Sequence, residues 1–166
     1  MTNEDQRKQG KISEIRIVNC LPNHYSAFKM LNEEWIKRYF LLEEADKKAL
    51  DDPEGYILEK GGKILCALEG DLVLGVCALM KIDDENFDFE LAKMAVSPVA
   101  QGKGVGYLLG LTIIETAKSL GATNLFLESN TKLKPALALY RKLGFQEIEG
   151  YSSPYERSNI QMLITF

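Results

Sequence analysis

The sequence predicts an α/β protein built on one mixed β-sheet with helices packed on both of its faces. Short apolar or alternating segments, typical of strands, recur from residue 14 to the end of the chain. Two amphipathic helical segments follow the first of these strands, and one helical segment follows each of the fourth and fifth strands. No repeat, linker or low-complexity stretch interrupts them. The predicted order is therefore β-α-α-β-β-β-α-β-α-β-β.

The length and composition fit one domain. The chain has 166 residues, of which 46% are hydrophobic and 27% charged, enough to bury a sizeable core. We assign residues 12–166 to a single domain and the polar, charged residues 1–11 to a flexible tail. The net charge of −4 argues against a nucleic-acid-binding surface. Because the chain has no run of about eighteen apolar residues and no signal-like segment, we expect a cytoplasmic protein with no membrane partner.

Cysteine and histidine usage gives little support for a metal site. Cys20, Cys66 and Cys77 lie in apolar or neutral surroundings without C-x-x-C spacing, which favours buried free thiols over disulfide or metal roles. His24 is the only histidine, so a zinc site or a histidine-based nucleophile triad would depend on it entirely. We expect no metal.

The first third of the chain predicts one strand and two helices. Residues 14–19 alternate isoleucine with polar residues, the pattern of a half-buried strand. A helix is expected over residues 25–39, where aromatic and aliphatic side chains form one stripe. A second, short helix is expected over residues 43–50, closed by the acidic turn at residues 51–55.

Three strands then form an antiparallel meander. They are expected over residues 63–69, 72–82 and 87–96. Tight turns at residues 70–71 and 83–86 join them. The remaining elements are a helix over 104–120, a strand over 124–129, a helix over 135–143, and strands over 145–149 and 159–166.

A glycine-rich turn between the third meander strand and the following helix suggests an anion site. It reads Gln-Gly-Lys-Gly-Val-Gly over residues 101–106. The first turn of a helix has free N–H groups and partial positive charge, and glycines let a phosphate approach the backbone. The P-loop pattern is absent, and Leu109 stands where a dinucleotide fingerprint needs a third glycine or alanine. A purely structural turn is the alternative interpretation.

The pattern Gln-x-x-Gly-x-Gly resembles the pyrophosphate loop of the GCN5-related N-acetyltransferase (GNAT) family. A second motif agrees, since residues 135–145 (PALALYRKLGF) resemble the A-x-x-L-Y-x-K-x-G-F helix of that family. Residues 152–162 also resemble a subgroup of small bacterial members. The resemblance covers residues 14–166. It implies the GNAT acyl-CoA N-acyltransferase fold and transfer of an acetyl group from acetyl-CoA directly to an amine.

The resemblance also implies where the co-substrate acetyl-CoA binds. The strands ending near Val96 and Ser129 would start adjacent and parallel and then splay, leaving a gap for the pantetheine arm. The family often has asparagine three residues before the alanine of the second motif, where this chain has Leu133, and Asn130, at the end of its strand, is the candidate substitute. The expected cofactor-binding residues are Met94, Ala95 and Val96 through their backbone, and Gln101, Gly102, Lys103, Gly104, Val105, Gly106 and Asn130.

Two residues are expected to act in the reaction. Tyr140 matches the tyrosine of the family that donates to the departing sulfur, and a phenol is neutral at pH 7. Glu90 lies four residues before Met94, where some members carry a glutamate general base. The alternatives are a core aromatic for Tyr140 and a solvated strand-start residue for Glu90. Many members use a water chain or a different carboxylate.

The acceptor amine is expected to contact the first two helices and the last hairpin. Glu34, Arg38, Tyr155 and Arg157 are the candidate substrate residues, because arginine binds carboxylates and acidic groups hold ammonium. Solvated or ion-paired surface residues are the alternative for each. The acceptor partner is an amine-bearing small molecule, amino acid or peptide, and the resemblance allows a homodimer paired through the last strands.

Two other functions remain open on the sequence alone. The domain could bind acetyl-CoA without turnover, as a sensor or interaction module. A nucleotide-binding α/β protein is disfavoured by the two failed phosphate motifs. Retention of both Tyr140 and Glu90 favours the enzyme.

Overall fold

The computed structural model describes residues 14–166, and the tail predicted over residues 1–11 lies outside the described residues. In chain order the elements are β1 (Ile15–Asn19), α1 (Tyr25–Tyr39), α2 (Glu44–Asp51), β2 (Lys63–Glu69), β3 (Leu72–Lys81), β4 (Phe89–Val96), α3 (Val105–Ser119), β5 (Asn124–Ser129), α4 (Lys134–Leu143), β6 (Gln146–Ile148) and β7 (Ile160–Thr165). The predicted order of strands and α-helices is confirmed.

Three short helical turns were not predicted. Pro22–His24 and Pro98–Ala100 form 3-10 turns, each begun by a proline whose fixed φ suits a first helical turn. The predicted acidic turn at residues 51–55 instead runs into a π-helical turn over Glu54–Leu58, which directs Ile57 into the core. Local sequence patterns carry little signal for turns this short.

The strands form one seven-stranded sheet in the order β1-β2-β3-β4-β5-β7-β6. Neighbouring strands run antiparallel, except that β4 and β5 run parallel. That parallel pair is joined only at Glu90 and Phe126. Beyond this point the two strands separate, as the family resemblance implied, and a wedge opens in the middle of the sheet.

Two hydrophobic clusters fill the two faces of the sheet. On one face α3 and α4 pack against the strands, with Leu109 and Ile113 fully buried. On the other face α1 and α2 contribute Phe28, Ile36 and Leu50. Burying each such side chain contributes about 1.5–3 kcal/mol. The sheet with its two helical layers therefore forms a rigid frame around the wedge.

Helices α3 and α4 approach each other closely at Gly110. A Cβ atom at this position would overlap the end of the Leu143 side chain, so any larger residue would displace that side chain. Helix α4 then ends at Gly144, whose φ is 107°. This packing fixes α4 beside the wedge and positions the residues on its inner face.

Within residues 14–166, none of the helices combines the length and the hydrophobicity that crossing a bilayer requires.

Candidate active site

An open cavity of about 700 Å³ lies where β4 and β5 separate. Its walls come from β4, β5, α1, α4 and the connection between β6 and β7. Of the residues predicted to form the site, six line this cavity: Glu90, Met94, Asn130, Tyr140, Tyr155 and Arg157. Elements distant in sequence thus bring both predicted catalytic residues and two of the four predicted acceptor residues to one place.

A β-bulge in β4 shapes the cavity floor. In the pairing with β3, Val76 faces Ala95 and Ala78 faces Ala92, so Lys93 and Met94 together oppose a single residue. Lys93 takes the left-handed conformation, with φ 52°, which costs about 1–3 kcal/mol for a residue other than glycine. In a regular strand Lys93 and Ala92 would point to opposite faces. The bulge instead brings the Lys93 side chain to the cavity side of the sheet.

Lys93 enters a buried ionic network centred on Asp46 of α2. Its Nζ lies 2.6 Å from Asp46 Oδ1 and donates a 3.1 Å hydrogen bond to the Tyr155 hydroxyl. Arg157 binds the same carboxylate with both arms, Nη1 to Oδ2 at 2.5 Å and Nη2 to Oδ1 at 2.6 Å. Nη1 also lies 3.1 Å from Glu43 Oε2. Two cations and two carboxylates therefore neutralise one another.

The pKa values in this network follow from burial and pairing. Burial alone would raise the pKa of Asp46, but the hydrogen bonds from Arg157 and the charge of Lys93 outweigh it and hold that pKa at about 2. Burial lowers the pKa of Lys93, and Asp46 opposes this effect. Burial also acts to lower the pKa of Arg157, and its hydrogen bonds to Asp46 more than reverse this. Asp46 is ionised at any pH at which the protein would work.

Glu90 stands on the cavity wall, half-buried, at the point where the parallel pair is still joined. Burial raises its pKa to about 7, with a further contribution from the charge of Glu128, while Lys93 acts in the opposite direction. Near neutral pH a carboxyl group with this pKa exchanges protons readily. Such a group is suited to general base catalysis.

Tyr140 projects from α4 into the same cavity. Burial raises its pKa to about 12, so the phenol is neutral at pH 7. Within residues 14–166 its hydroxyl makes no hydrogen bond, and its ring meets Phe145 edge-on at 6.2 Å. A phenol whose ring is fixed by packing and whose O–H is free is suited to donate a hydrogen bond to a negatively charged atom in the cavity.

The glycine-rich loop lies at the N-terminus of α3, at the surface. Gly102 and Gly104 have φ values of 80° and 77°, and a Cβ atom at either would meet no atom within 4 Å. Glycine is therefore required there by backbone conformation. Residues 101–104 are exposed, so the loop is open to solvent beside the N–H groups of the first turn of α3.

Two predicted acceptor residues lie away from the main cavity. Glu34 and Arg38 line a smaller groove of about 230 Å³, together with Val96 and Gln101. Trp35 contributes to both the groove and the cavity. The structure thus places Glu34 and Arg38 near the glycine-rich loop rather than beside Glu90.

Asn130 is buried, and its side chain is already hydrogen-bonded. Its Nδ2 donates to the Arg157 carbonyl oxygen at 2.7 Å, and its Oδ1 accepts from the Lys132 N–H at 2.8 Å. These contacts fix the connection between β6 and β7 against the end of β5. Its predicted contact with the co-substrate stays a prediction.

Sequence reasoning missed four residues of the site. Asp46 and Lys93 form the ionic network, and Glu128 faces Glu90 from β5. Ser158 lines the cavity, and its buried Oγ has no hydrogen-bond partner within residues 14–166. Glu128 could have been predicted, because it is a carboxylate near the end of β5, where β4 and β5 separate. The other three depend on the bulge and on long-range contacts.

Outside the cavity, Cys20, His24 and Cys66 bring atoms of metal-ligating type within 4.8 Å of one another. The Cys20 thiol donates to the Leu21 carbonyl oxygen at 3.7 Å, and the neighbouring Cys66 thiol together with burial raises the pKa of Cys20. His24 Nδ1 accepts a 3.0 Å hydrogen bond from the Leu21 N–H. All three cysteines are free and buried, as predicted.

Comparisons of the sequence with known proteins identify related N-acetyltransferases. The sequence profile of the Acetyltransferase (GNAT) family matches residues 25–145. An uncharacterized N-acetyltransferase of Escherichia coli strain K12, YjgM, is 37% identical over 81 residues, which cover 49% of this chain and 48% of that protein. The chain therefore spans about half the length of this relative.

Solved structures share the fold. An acetyltransferase of the GNAT family from Staphylococcus aureus Mu50 has a TM-score of 0.82 at 20% identity, over 92% of this chain and 99% of that one. The protein yncA of Salmonella typhimurium, solved with its cofactor acetyl-CoA, has a TM-score of 0.73 at 18% identity, over 92% and 94% of the two chains. At these identities the likeness concerns the fold.

Proposed function

The chain belongs to the acetyltransferase (GNAT) family, and we propose that it transfers the acetyl group of acetyl-CoA directly to an amine of a small molecule, amino acid or peptide. The observation that carries this proposal is the wedge between β4 and β5, which brings Glu90 and Tyr140 to one cavity. The Salmonella typhimurium protein of the same fold, which was solved with acetyl-CoA, supports the choice of co-substrate.

The wedge suits the pantetheine arm. Because β4 and β5 pair only at Glu90 and Phe126, the later backbone groups of β4 on this side face a gap. The amide groups of the arm would pair with the backbone of Met94, Ala95 and Val96, as a peptide does when it adds to a sheet. Backbone pairing leaves the side chains free to be apolar.

The glycine-rich loop would hold the pyrophosphate. The N–H groups of Gln101 and Lys103 already donate to the carbonyl oxygens of Pro98 and Ala100. The amides of Gly102 and Gly104 and the first turn of α3 would offer the N–H donors and partial positive charge. Lys103 is exposed beside them and would add a charge-assisted contact. The left-handed conformations of Gly102 and Gly104 expose the backbone to the ligand.

The chemistry follows from the two titratable groups. An ammonium cannot attack, so Glu90 accepts its proton, and the amine nitrogen then forms a bond to the thioester carbonyl carbon. The C–S bond breaks, and the hydroxyl of Tyr140 stabilises the departing thiolate by hydrogen bonding. The second proton that the nitrogen loses as the amide forms goes to this thiolate, which becomes the thiol of coenzyme A. The products are the N-acetylated amine and coenzyme A, and the first proton leaves through Glu90.

Thermal unfolding with acetyl-CoA, coenzyme A and ATP tests the co-substrate site. A ligand at a hundred times its Kd adds about 2.7 kcal/mol, which is several degrees for a domain of this size. We expect a rise in Tm with acetyl-CoA and none with ATP. No rise with acetyl-CoA would contradict the proposal. A rise without thiol release in the presence of amines would instead indicate a domain that binds acetyl-CoA without turnover.

A further inference from the structure

Two carboxylates face the cavity from adjacent strands. Glu90 pairs with Phe126 across the parallel strands, and Glu128 lies two residues beyond Phe126. Side chains two apart on a strand share a face, so Glu128 lies on the same side of the sheet as Glu90. Both line the cavity, and Glu90 feels the charge of Glu128.

Glu128 is held in place and retains a free oxygen. Its Oε1 accepts a 2.8 Å hydrogen bond from Nε2 of Gln161, a buried residue of β7. Within residues 14–166, Oε2 of Glu128 makes no hydrogen bond. Glu128 therefore presents a positioned carboxylate with one free oxygen to whatever occupies the cavity.

The cations of the cavity are already bound. Both arms of Arg157 contact Asp46, and Nζ of Lys93 contacts Asp46 and the Tyr155 hydroxyl. Glu43 completes the neutral network through Arg157. Among residues 14–166 the uncompensated charge of the cavity is thus negative, and no free guanidinium of this part of the chain faces the cavity to bind a carboxylate.

The opposite wall is apolar. Trp35, Ile36 and Phe40, from α1 and the residue after it, line the cavity across from the strands. Trp35 and Phe40 are only partly buried by the protein itself. An apolar group placed against them would remove further apolar surface from water, at about 25 cal/mol for each Å².

We propose that the acceptor is a primary amine with an apolar body and no carboxylate on the carbon that bears the nitrogen, and that Glu128 binds its ammonium group beside Glu90. This inference rests on the proposed acetyl transfer. It makes Glu128 a substrate-binding residue and separates its task from that of Glu90, which takes the proton. An α-amino acid would place its carboxylate near two acidic side chains, and the described part of the chain, residues 14–166, offers no free cation in the cavity to receive it.

Acceptor preference tests the inference directly. Thiol release is measured with acetyl-CoA and either 2-phenylethylamine or L-phenylalanine, which differ only in the carboxylate. We expect kcat/KM at least about tenfold higher for 2-phenylethylamine, since a charge-assisted contact is made without a repelled group. Binding of both compounds to the protein saturated with coenzyme A is measured by calorimetry. Equal use or binding of the two compounds, or no binding of 2-phenylethylamine, would overturn the inference.

The variant Glu128→Gln keeps the shape of the side chain and removes its charge. We expect KM for 2-phenylethylamine to rise about tenfold or more, with KM for acetyl-CoA unchanged. Glu147→Gln, on exposed β6, is the matched control and should change neither constant. An unchanged amine KM in Glu128→Gln would overturn the inference. Failure of acetyl-CoA to raise Tm would instead reject the proposed function, so the two failures are distinguishable.

Discussion

Replacing Asp46 by asparagine removes the carboxylate that joins α2 to β4 and to the β6–β7 connection. Asp46 is fully buried and contacts Lys93 and Arg157 at distances of 2.5–2.6 Å. Asparagine keeps the volume and one oxygen acceptor, so the change isolates the charge. It leaves Glu43 as the one carboxylate in contact with Arg157 and deprives Lys93 of its ion pair.

Two routes give the size of the effect. The pKa of Asp46 is lowered from 3.8 to about 2, and at about 1.4 kcal/mol for each pKa unit this contributes about 2 kcal/mol to stability at pH 7. Breaking a buried ion pair by removing one partner typically costs about 3–5 kcal/mol. We expect a loss of about 2–5 kcal/mol, or a fall in Tm of roughly 5–15 °C for a domain of this size.

Urea unfolding at several pH values measures this loss. Because the pKa is depressed in the folded state, the contribution is fully present above about pH 4 and is lost as pH falls through about 2. The difference between wild type and Asp46→Asn should therefore shrink below pH 4. Asp51→Asn is the control, since Asp51 is the last residue of the same helix and forms a 2.7 Å ion pair with Lys29 at the surface. An exposed pair contributes about 0–1 kcal/mol. Equal losses in the two variants would refute the reasoning.

Three further changes test the catalytic and co-substrate assignments. Tyr140→Phe removes the hydroxyl assigned to the departing thiolate, so kcat should fall about 10- to 100-fold in a thiol-release assay, with KM for acetyl-CoA little changed. Glu90→Gln removes a carboxylate whose pKa is about 7, so kcat/KM should lose its rise with pH, which in the wild type levels off above about pH 7. Gly104→Ala puts a side chain at φ 77°, so KM for acetyl-CoA should rise severalfold in steady-state kinetics.

Matched controls accompany these changes. Tyr151→Phe removes the hydroxyl of an exposed tyrosine and should leave kcat unchanged. Gly70→Ala, at φ 60° in the turn between β2 and β3, carries similar backbone strain and should lower stability without changing KM. Full activity in Tyr140→Phe would remove the donor role. If kcat/KM of Glu90→Gln kept the pH dependence of the wild type, a group other than Glu90 would accept the proton of the amine.

The sequence predicted the elements because each has a local signal. Strand alternation, helical periodicity and the glycines at residues 70, 121 and 144 locate the elements to within one or two residues. The glycine-rich loop and the Tyr140 helix were likewise visible as continuous motifs. The parts of the site carried by one short segment could therefore be predicted.

The acceptor side of the cavity could not be predicted in this way. Asp46 and Arg157 are 111 residues apart, so no local pattern links them. The sequence of α2 is short and highly charged, which predicts a solvent-exposed helix rather than a buried carboxylate. The position of the Lys93 side chain depends on the bulge in β4. The alternation of side chains along a regular strand does not predict where such a bulge occurs. Arg157 was expected to be available for an acceptor carboxylate, but in the structure both of its terminal nitrogens, Nη1 and Nη2, donate hydrogen bonds to Asp46.

The bulge at Lys93 reverses the parity of β4. Leu91 and Ala95 are both odd-numbered, and in a regular strand they would share a face. Yet Leu91 belongs to the cluster beneath α3 and α4, whereas Ala95 belongs to the cluster beneath α1 and α2. The extra residue lets Ala95 pair with Val76, which belongs to the same cluster. Deleting Lys93 would make the pairing with β3 regular and leave the side chains that follow in their present layers, whereas deleting one further residue would exchange those layers.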